Sequence, residues 1–252
     1  MPTVVTAPAK LTLSLRVVGV RADGYHLIDG EMVTLDLEDR LEFTAGNGLE
    51  VAGAAGDGVP LGPANLVNRA LAAVGRQAAV RLHKRIPPGA GLGGGSADAA
   101  AVLRWAGVTD LPTAARLGAD VPFCLLGGRA RVRGVGEEVE PLPFAEVAGR
   151  VFTLLIPPFP VSTPAVYRAW DDLAGPGAEG PNDLEPAALA VEPRLRTWRD
   201  RLGDATGATP VLAGSGATWF VHGDHPGEGR VVVRVAPGVA GPGMVGAGPK
   251  SA

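Results

Sequence analysis

The sequence predicts an α+β fold in which hairpin strands are mixed with helices, rather than a doubly wound parallel sheet. Three observations carry this. Runs with a period-2 apolar pattern come early and are joined by a tight turn. Segments with helical spacing follow at irregular intervals, so a regular βαβ succession is absent. Composition then shifts around residues 141–143. Two units are expected, 1–143 and 144–236, followed by a Gly/Ala/Pro-rich disordered tail over 237–252.

The elements read in order as follows. Leu11, Leu13, Leu15 and Val17 alternate with Lys10, Thr12, Ser14 and Arg16, the pattern of a half-buried strand with one polar face. Asp23-Gly24 marks a turn. Val33, Leu35 and Leu37 alternate with Thr34, Asp36 and Glu38 in a second strand, and Leu41 and Phe43 open its hairpin partner. Residues 46–64 read as loop. Asn65 is an N-cap for a helix whose inner face is Leu66, Val67, Ala70, Leu71 and Val74, ended by Gly75. Residues 79–86 form a strand that enters a glycine-rich turn, and a helix capped by Ser96 leaves it and runs to about residue 106. A short helix over 111–117 stops at Gly118. Strands are expected over 129–135 and 150–156, a helix near 192–202, and strands over 211–213, 218–221 and 231–235.

Composition excludes several function classes. Apolar residues make up 46% and charged residues 19% of 252, a globular balance. The net charge of −3 and the few scattered aromatics offer neither a basic face nor a stacking platform for nucleic acid. The single cysteine, Cys124, sits among Phe123, Leu125 and Leu126 and reads as a buried thiol. The first residues lack a basic start followed by an apolar core, and no apolar run nears the roughly 20 residues of a membrane helix. A cytoplasmic protein with no membrane partner is expected, as a monomer or weak homodimer.

The chemistry concentrates in Pro87, Pro88, Gly89, Ala90, Gly91, Leu92, Gly93, Gly94, Gly95, Ser96 and Ala97. Polyphosphate binding needs converging backbone N–H groups with no side chains in the way, and a helix N-terminus adds partial positive charge. Gly89–Gly94 satisfies GxGxxG, but Pro87-Pro88 break the strand before it and no acidic residue closes a second strand at the dinucleotide-binding distance. The P-loop pattern places a lysine where Gly95 stands, and the HRD and DFG motifs of protein kinases are absent. With 37 glycines in the chain, a flexible linker is the bland alternative, yet linkers are not flanked by a strand and a capped helix.

The string P-x-G-x-G-L-G-G-G-S-x-D-A-A resembles the second motif of the GHMP kinase superfamily. Further segments resemble the 4-diphosphocytidyl-2-C-methyl-D-erythritol kinases: APAKLTL at 7–13, RADGYH at 21–26, LGADVPF at 117–123, GVGE at 134–137, STPAVY at 162–167, NDLE at 182–185 and LAGSGA at 212–217. They run in family order across most of the chain. The resemblance implies a two-domain α+β GHMP kinase fold with the active site in the interdomain cleft. It implies transfer of the γ-phosphoryl group of ATP, with Mg2+, to the 2-hydroxyl of a cytidyl diphosphate sugar alcohol, a step of non-mevalonate isoprenoid synthesis.

Residue by residue, the resemblance makes Asp120 the base and Lys10 its neighbour, stabilising charge at the hydroxyl or γ-phosphate. Without the resemblance, Asp120 reads first as a cap after Gly118, a common job for aspartate. Residues 87–97 would hold ATP. Tyr25 and Tyr167 match the aromatics that sandwich cytosine, and His26 the residue that bonds its edge. Gly214 and Ser215 belong to the third motif, near the phosphates. Thr12 stands where the family has asparagine on the substrate. No residue is assigned as the magnesium ligand. The helix expected between Val221 and the last strand is replaced by Asp224-His225-Pro226-Gly227, which shortens the second unit.

Overall fold

The alternation around Lys10 belongs to a longer strand, β1 (Thr3–Val20), which pairs antiparallel with β2 (His26–Thr44) from Thr3↔Phe43 to Val20↔His26. The computed structural model describes residues 2–175 and 177–238; the expected tail lies outside them from 239 onward. Residues 21–25 make the turn between the two strands, with Gly24 at φ 85° as the Asp-Gly signal predicts.

Two expectations for this region are corrected. The chain does not turn between Glu38 and Leu41, so Leu41 and Phe43 continue β2 rather than opening a hairpin partner. The polar residues there mislead because Asp39 points inward and is fully buried, its carboxylate held by Lys84 Nζ at 2.5 Å and by the amides of Arg85 and Ile86. Nor does β1 keep one apolar face. A register shift between Thr12 and Ser14 sends Leu11 and Leu15 into different clusters. Lys10 and Thr12 are themselves buried, so the polar face is covered at the point where chemistry is expected.

Beyond β2, residues 46–64 are not all loop. They contain β3 (Gly48–Ala52), which pairs parallel with β4 (Ala79–His83); its glycine- and alanine-rich neighbourhood hides the strand. Between them lies α1 (Leu66–Ala73), capped as expected by the Asn65 side chain, which accepts from the Val67 amide at 2.8 Å. After the glycine-rich turn come α2 (Gly94–Trp105), α3 (Leu111–Leu117) and α4 (Val121–Leu126). The last is apolar on every side and six residues long, so periodicity could not reveal it. β5 (Arg129–Gly134) and β6 (Glu138–Pro141) complete the first sheet. β1 occupies one edge of β2, while β4 and β5 share the other.

The second sheet has the order β10-β7-β9-β8 and is antiparallel throughout. It comprises β7 (Val151–Leu155), β8 (Val211–Leu212), β9 (Trp219–His222) and β10 (Arg230–Arg234). Between β7 and β8 the chain forms α5 (Thr163–Asp172), α6 (Glu185–Val191) and α7 (Leu195–Thr206). No helix separates β9 from β10, as the Asp224–Gly227 stretch predicts. Among the described residues, no helix is long and apolar enough to cross a membrane.

The two sheets share a core. Ala9, Leu11, Val33 and Leu35 of the first pack with Phe152, Leu154, Phe220 and Val233 of the second. Ala90 and Leu92 of the glycine-rich turn are buried in the same cluster. Burying a large apolar side chain contributes about 1.5–3 kcal/mol, so Leu92 roots the turn firmly, with the small Ala90 packed beside it. The chain end is tied in as well: the Ala236 amide donates to the Thr34 carbonyl at 2.9 Å.

Candidate active site

Period-2 geometry puts Lys10 and Thr12 side by side on β1, and the Lys10 ammonium donates to Thr12 Oγ1 at 3.1 Å. The same Nζ stands 3.4 Å from Asp120 Oδ2. Lys10 is 6% exposed, whereas the Asp120 side chain is 32% exposed and therefore reachable by a ligand. Asp120 occupies the N-cap position of α4 but makes no side-chain capping bond. The capping alternative is thus set aside: its carboxylate is turned to Lys10 instead.

The glycine-rich turn passes directly over this pair. The Lys10 amide donates to the Leu92 carbonyl at 3.0 Å. Gly93 has φ 68°, and a Cβ there would lie 2.7 Å from Lys10 Cγ, so only glycine fits. Gly93, not Ser96, is the N-cap: α2 starts at Gly94, and Ser96 is inside its first turn. The Ala97 amide is the first to bond back, to Gly93. The amides of Gly94, Gly95 and Ser96 therefore have no intrahelical partner and form an anion cradle at a positive helix end. Pro87, Pro88 and Gly89 lead into the cradle, and the turn is sewn to the second sheet. Thr218 donates to the Ala90 carbonyl through both its amide (3.1 Å) and its hydroxyl (2.7 Å), and the Val161 amide reaches the Gly89 carbonyl.

Gly214 and Ser215 come to the same place. A Cβ on Gly214 would lie 3.6 Å from Lys10 Nζ and 3.7 Å from Thr12 Oγ1. Ser215 Oγ is 2.7 Å from Thr163 Oγ1 at the start of α5. Asn182 holds this loop, donating through Nδ2 to the Leu212 and Gly214 carbonyls at 2.8 and 2.7 Å.

The remaining predicted residues form a second group. The His26 ring lies 4.7 Å from the Tyr167 ring, tilted by 32°, and meets the edge of Trp170 at 5.5 Å. His26 Nε2 is 2.8 Å from Asp171 Oδ1. Burial pushes the Tyr167 phenol up, helped by the negative charge of Asp120, which links this group to the first. Tyr25 stands apart on the turn, 60% exposed, with the Arg21 guanidinium over its ring. Cys124 is buried and its thiol is pushed up to about 12 by burial, consistent with an inert core residue.

Sequence reasoning missed a buried cluster beneath the cradle. Lys84 Nζ bonds Asp39 at 2.5 Å and Asp98 at 2.8 Å. Burial would lower the Lys84 ammonium, but the charges of Asp98 and Asp39 outweigh it and raise it. One ammonium serves two carboxylates, and burial pushes Asp98 up to about 7. The cluster grips both ends of the turn, Lys84–Ile86 before it and α2 after it. Asn182 lay in the NDLE string without an assigned role, and Trp170 and Asp171 were missed. For the last two a signal existed: residues 167, 170 and 171 share one helical face by i, i+3, i+4 spacing.

The chain is similar to known proteins along most of its length. The family described as GHMP kinases N terminal domain matches residues 64–128, which include the turn and Asp120. The 4-diphosphocytidyl-2-C-methyl-D-erythritol kinase of Ruegeria pomeroyi is 38% identical over 92% of this chain and 92% of its own. The chain belongs to the 4-diphosphocytidyl-2-C-methyl-D-erythritol kinase family. The family member from Paracoccus denitrificans is 40% identical over 85% of this chain and 84% of its own. A crystal structure of a 4-(cytidine 5'-diphospho)-2C-methyl-D-erythritol kinase superposes with a TM-score of 0.69 at 37% identity, covering 89% of this chain and 91% of that one.

Proposed function

We propose that this chain transfers the γ-phosphoryl group of ATP to the 2-hydroxyl of 4-diphosphocytidyl-2-C-methyl-D-erythritol. The observation that carries the reading is the 3.4 Å contact of Lys10 with Asp120 directly beneath the glycine-rich turn. ATP phosphates lie on the amides of Gly94, Gly95 and Ser96. Asp120 takes the proton of the substrate hydroxyl as its oxygen bonds to the γ-phosphorus, and the bond from that phosphorus to the ADP oxygen breaks. Lys10 offsets the negative charge that builds on the transferring group. Its ammonium is held for this by Thr12, which here replaces the amide of an asparagine.

Mg2+ would come with the nucleotide rather than from a protein site, and would supply charge neutralisation during the transfer. Among the described residues, no three His, Cys, Asp or Glu side chains come together to hold a metal on their own. Residues 1–143 and 144–236 act as the two walls of the site, with Gly214 and Ser215 closing over Lys10. In this reading cytosine lies at the other end, with His26 at its edge and Tyr167 on one face, and the exposed Tyr25 swings in to cover the other.

The test is to incubate the protein with Mg-ATP and the cytidyl substrate and look for the 2-phosphate by mass spectrometry. Turnover is expected. Asp120→Asn is expected to lower kcat by about 10²–10⁴ while ATP still binds. Well-folded protein without turnover would refute the reading, and an active Asp120→Asn would remove Asp120 as base.

A further inference from the structure

His26 comes from β2, but everything that orients its ring comes from α5. Tyr167 lies against one face at 4.7 Å, Trp170 meets it edge-on, and Asp171 binds Nε2 at 2.8 Å. Asp171 is half exposed, so its bond to His26 adds little to stability. The His26 side chain, by contrast, is largely covered. An ionised carboxylate can only accept hydrogen bonds, so Nε2 must carry a proton. In a neutral imidazole Nδ1 is then left as a lone-pair acceptor. Among the described residues Nδ1 has no hydrogen-bond partner of its own.

We propose that Asp171 is a positioning residue that holds His26 as the Nε2–H tautomer, so that Nδ1 selects a pyrimidine bearing an exocyclic amine over one bearing an oxo group. This rests on the reading of His26 as the residue at the base edge. Cytosine offers an N–H donor at its 4-position and uracil an oxygen. The amine bonds to Nδ1, whereas the oxygen would set two lone pairs against each other. Sites that present a hydrogen-bonding group to a ligand discriminate strongly because the wrong ligand leaves buried polar atoms unpaired. The opposite tautomer would turn Nδ1 into a donor and reverse the preference. The specificity of the site is thus set by a side chain that does not touch the base.

The experiment uses CDP and UDP as probes, by calorimetry on the full chain at about pH 8, above the ordinary imidazole range. Wild type is expected to bind CDP at least about tenfold more tightly than UDP, the worth of one well-made hydrogen bond. Asn at 171 can accept from Nε2–H or donate to a bare Nε2, so Asp171→Asn permits both tautomers. It is expected to bring the two affinities within about threefold of each other, chiefly by tightening UDP, which gains the Nδ1–H tautomer. Asp171→Ala should do the same. In nitrogen-15 NMR of the free protein, His26 should show a protonated Nε2 and a bare Nδ1, and should lose that single pattern in Asp171→Asn. An unchanged CDP/UDP ratio in both variants, a wild-type preference for UDP, or a bare Nε2 in wild type would overturn the proposal. Because binding and tautomer are read without turnover, a catalytically silent chain that still prefers CDP would refute the proposed reaction while supporting this inference.

Discussion

Replacing Lys84 with methionine is the most informative single perturbation of this fold. Lys84 is buried between Asp39 and Asp98, at 2.5 and 2.8 Å, and methionine matches its length without the charge. Its loss leaves Asp39 with the Arg85 and Ile86 amides, at 2.5 and 2.9 Å, but no counter-charge. Asp98 is left with nothing, since its Oδ1 already lacks a partner. Breaking a buried ion pair by removing one member costs about 3–5 kcal/mol. Protonation of Asp98 relieves part of this, so about 3 kcal/mol is expected, a large share of the roughly 5–15 kcal/mol that holds a typical domain. Urea titration followed by tryptophan fluorescence measures it as a lower midpoint at unchanged slope. The KM for ATP should rise as well, because the cluster grips both ends of the phosphate turn. The Lys84→Met/Asp98→Leu double variant should be more stable than the sum of the single effects by at least about 1 kcal/mol. A loss below about 1 kcal/mol for Lys84→Met, or strict additivity in the double variant, would refute the idea of one shared network.

Other consequences are open to measurement. The folded Asp98 carboxyl holds its proton up to about 7, above the ordinary carboxylate range, so this contribution to stability is fully present below that range and is lost as pH rises through about 7. Asp98→Asn should flatten that part of the stability profile between about pH 4 and 7, and an unchanged slope would assign it elsewhere. Gly93→Val places side-chain atoms where Lys10 Cγ lies and forces a valine to φ 68°; phosphoryl transfer should fall by at least about tenfold, and near-normal turnover would show that the turn yields. Asn182→Ala frees the Leu212 and Gly214 carbonyls and should raise KM for both substrates, with a stability loss of about 1–3 kcal/mol in the same urea assay.

The meeting of the predicted residues was more legible in the sequence than the fold around them. Lys10, Thr12, Asp120 and the turn lie in local strings whose spacing survives folding, so their meeting could be anticipated from family order. What escaped depended on partners far away in the chain. Asp39 looks like a turn residue until Lys84, 45 positions later, is seen to draw it inward. The face switch of β1 follows from a register shift against β2, which no single-strand pattern encodes. β3 is stabilised by parallel pairing with β4 rather than by its own composition. The helix start moved from Ser96 to Gly94 because a left-handed Gly93 can act as cap without a side chain.

The core shared by the two sheets bears on how the enzyme opens. Leu11, Leu35, Phe152 and Phe220 meet behind the site, and the last residues of β10 and beyond bond back to β2. A pair of jaws needs a wet seam at its pivot, and here the pivot is dry and close-packed. Two sheets joined by a common core move as one body, so ligands enter by side-chain and loop motion rather than by opening of the sheets. Small-angle scattering should give the same radius of gyration with and without nucleotide, and turnover should not be limited by the breathing of the whole molecule.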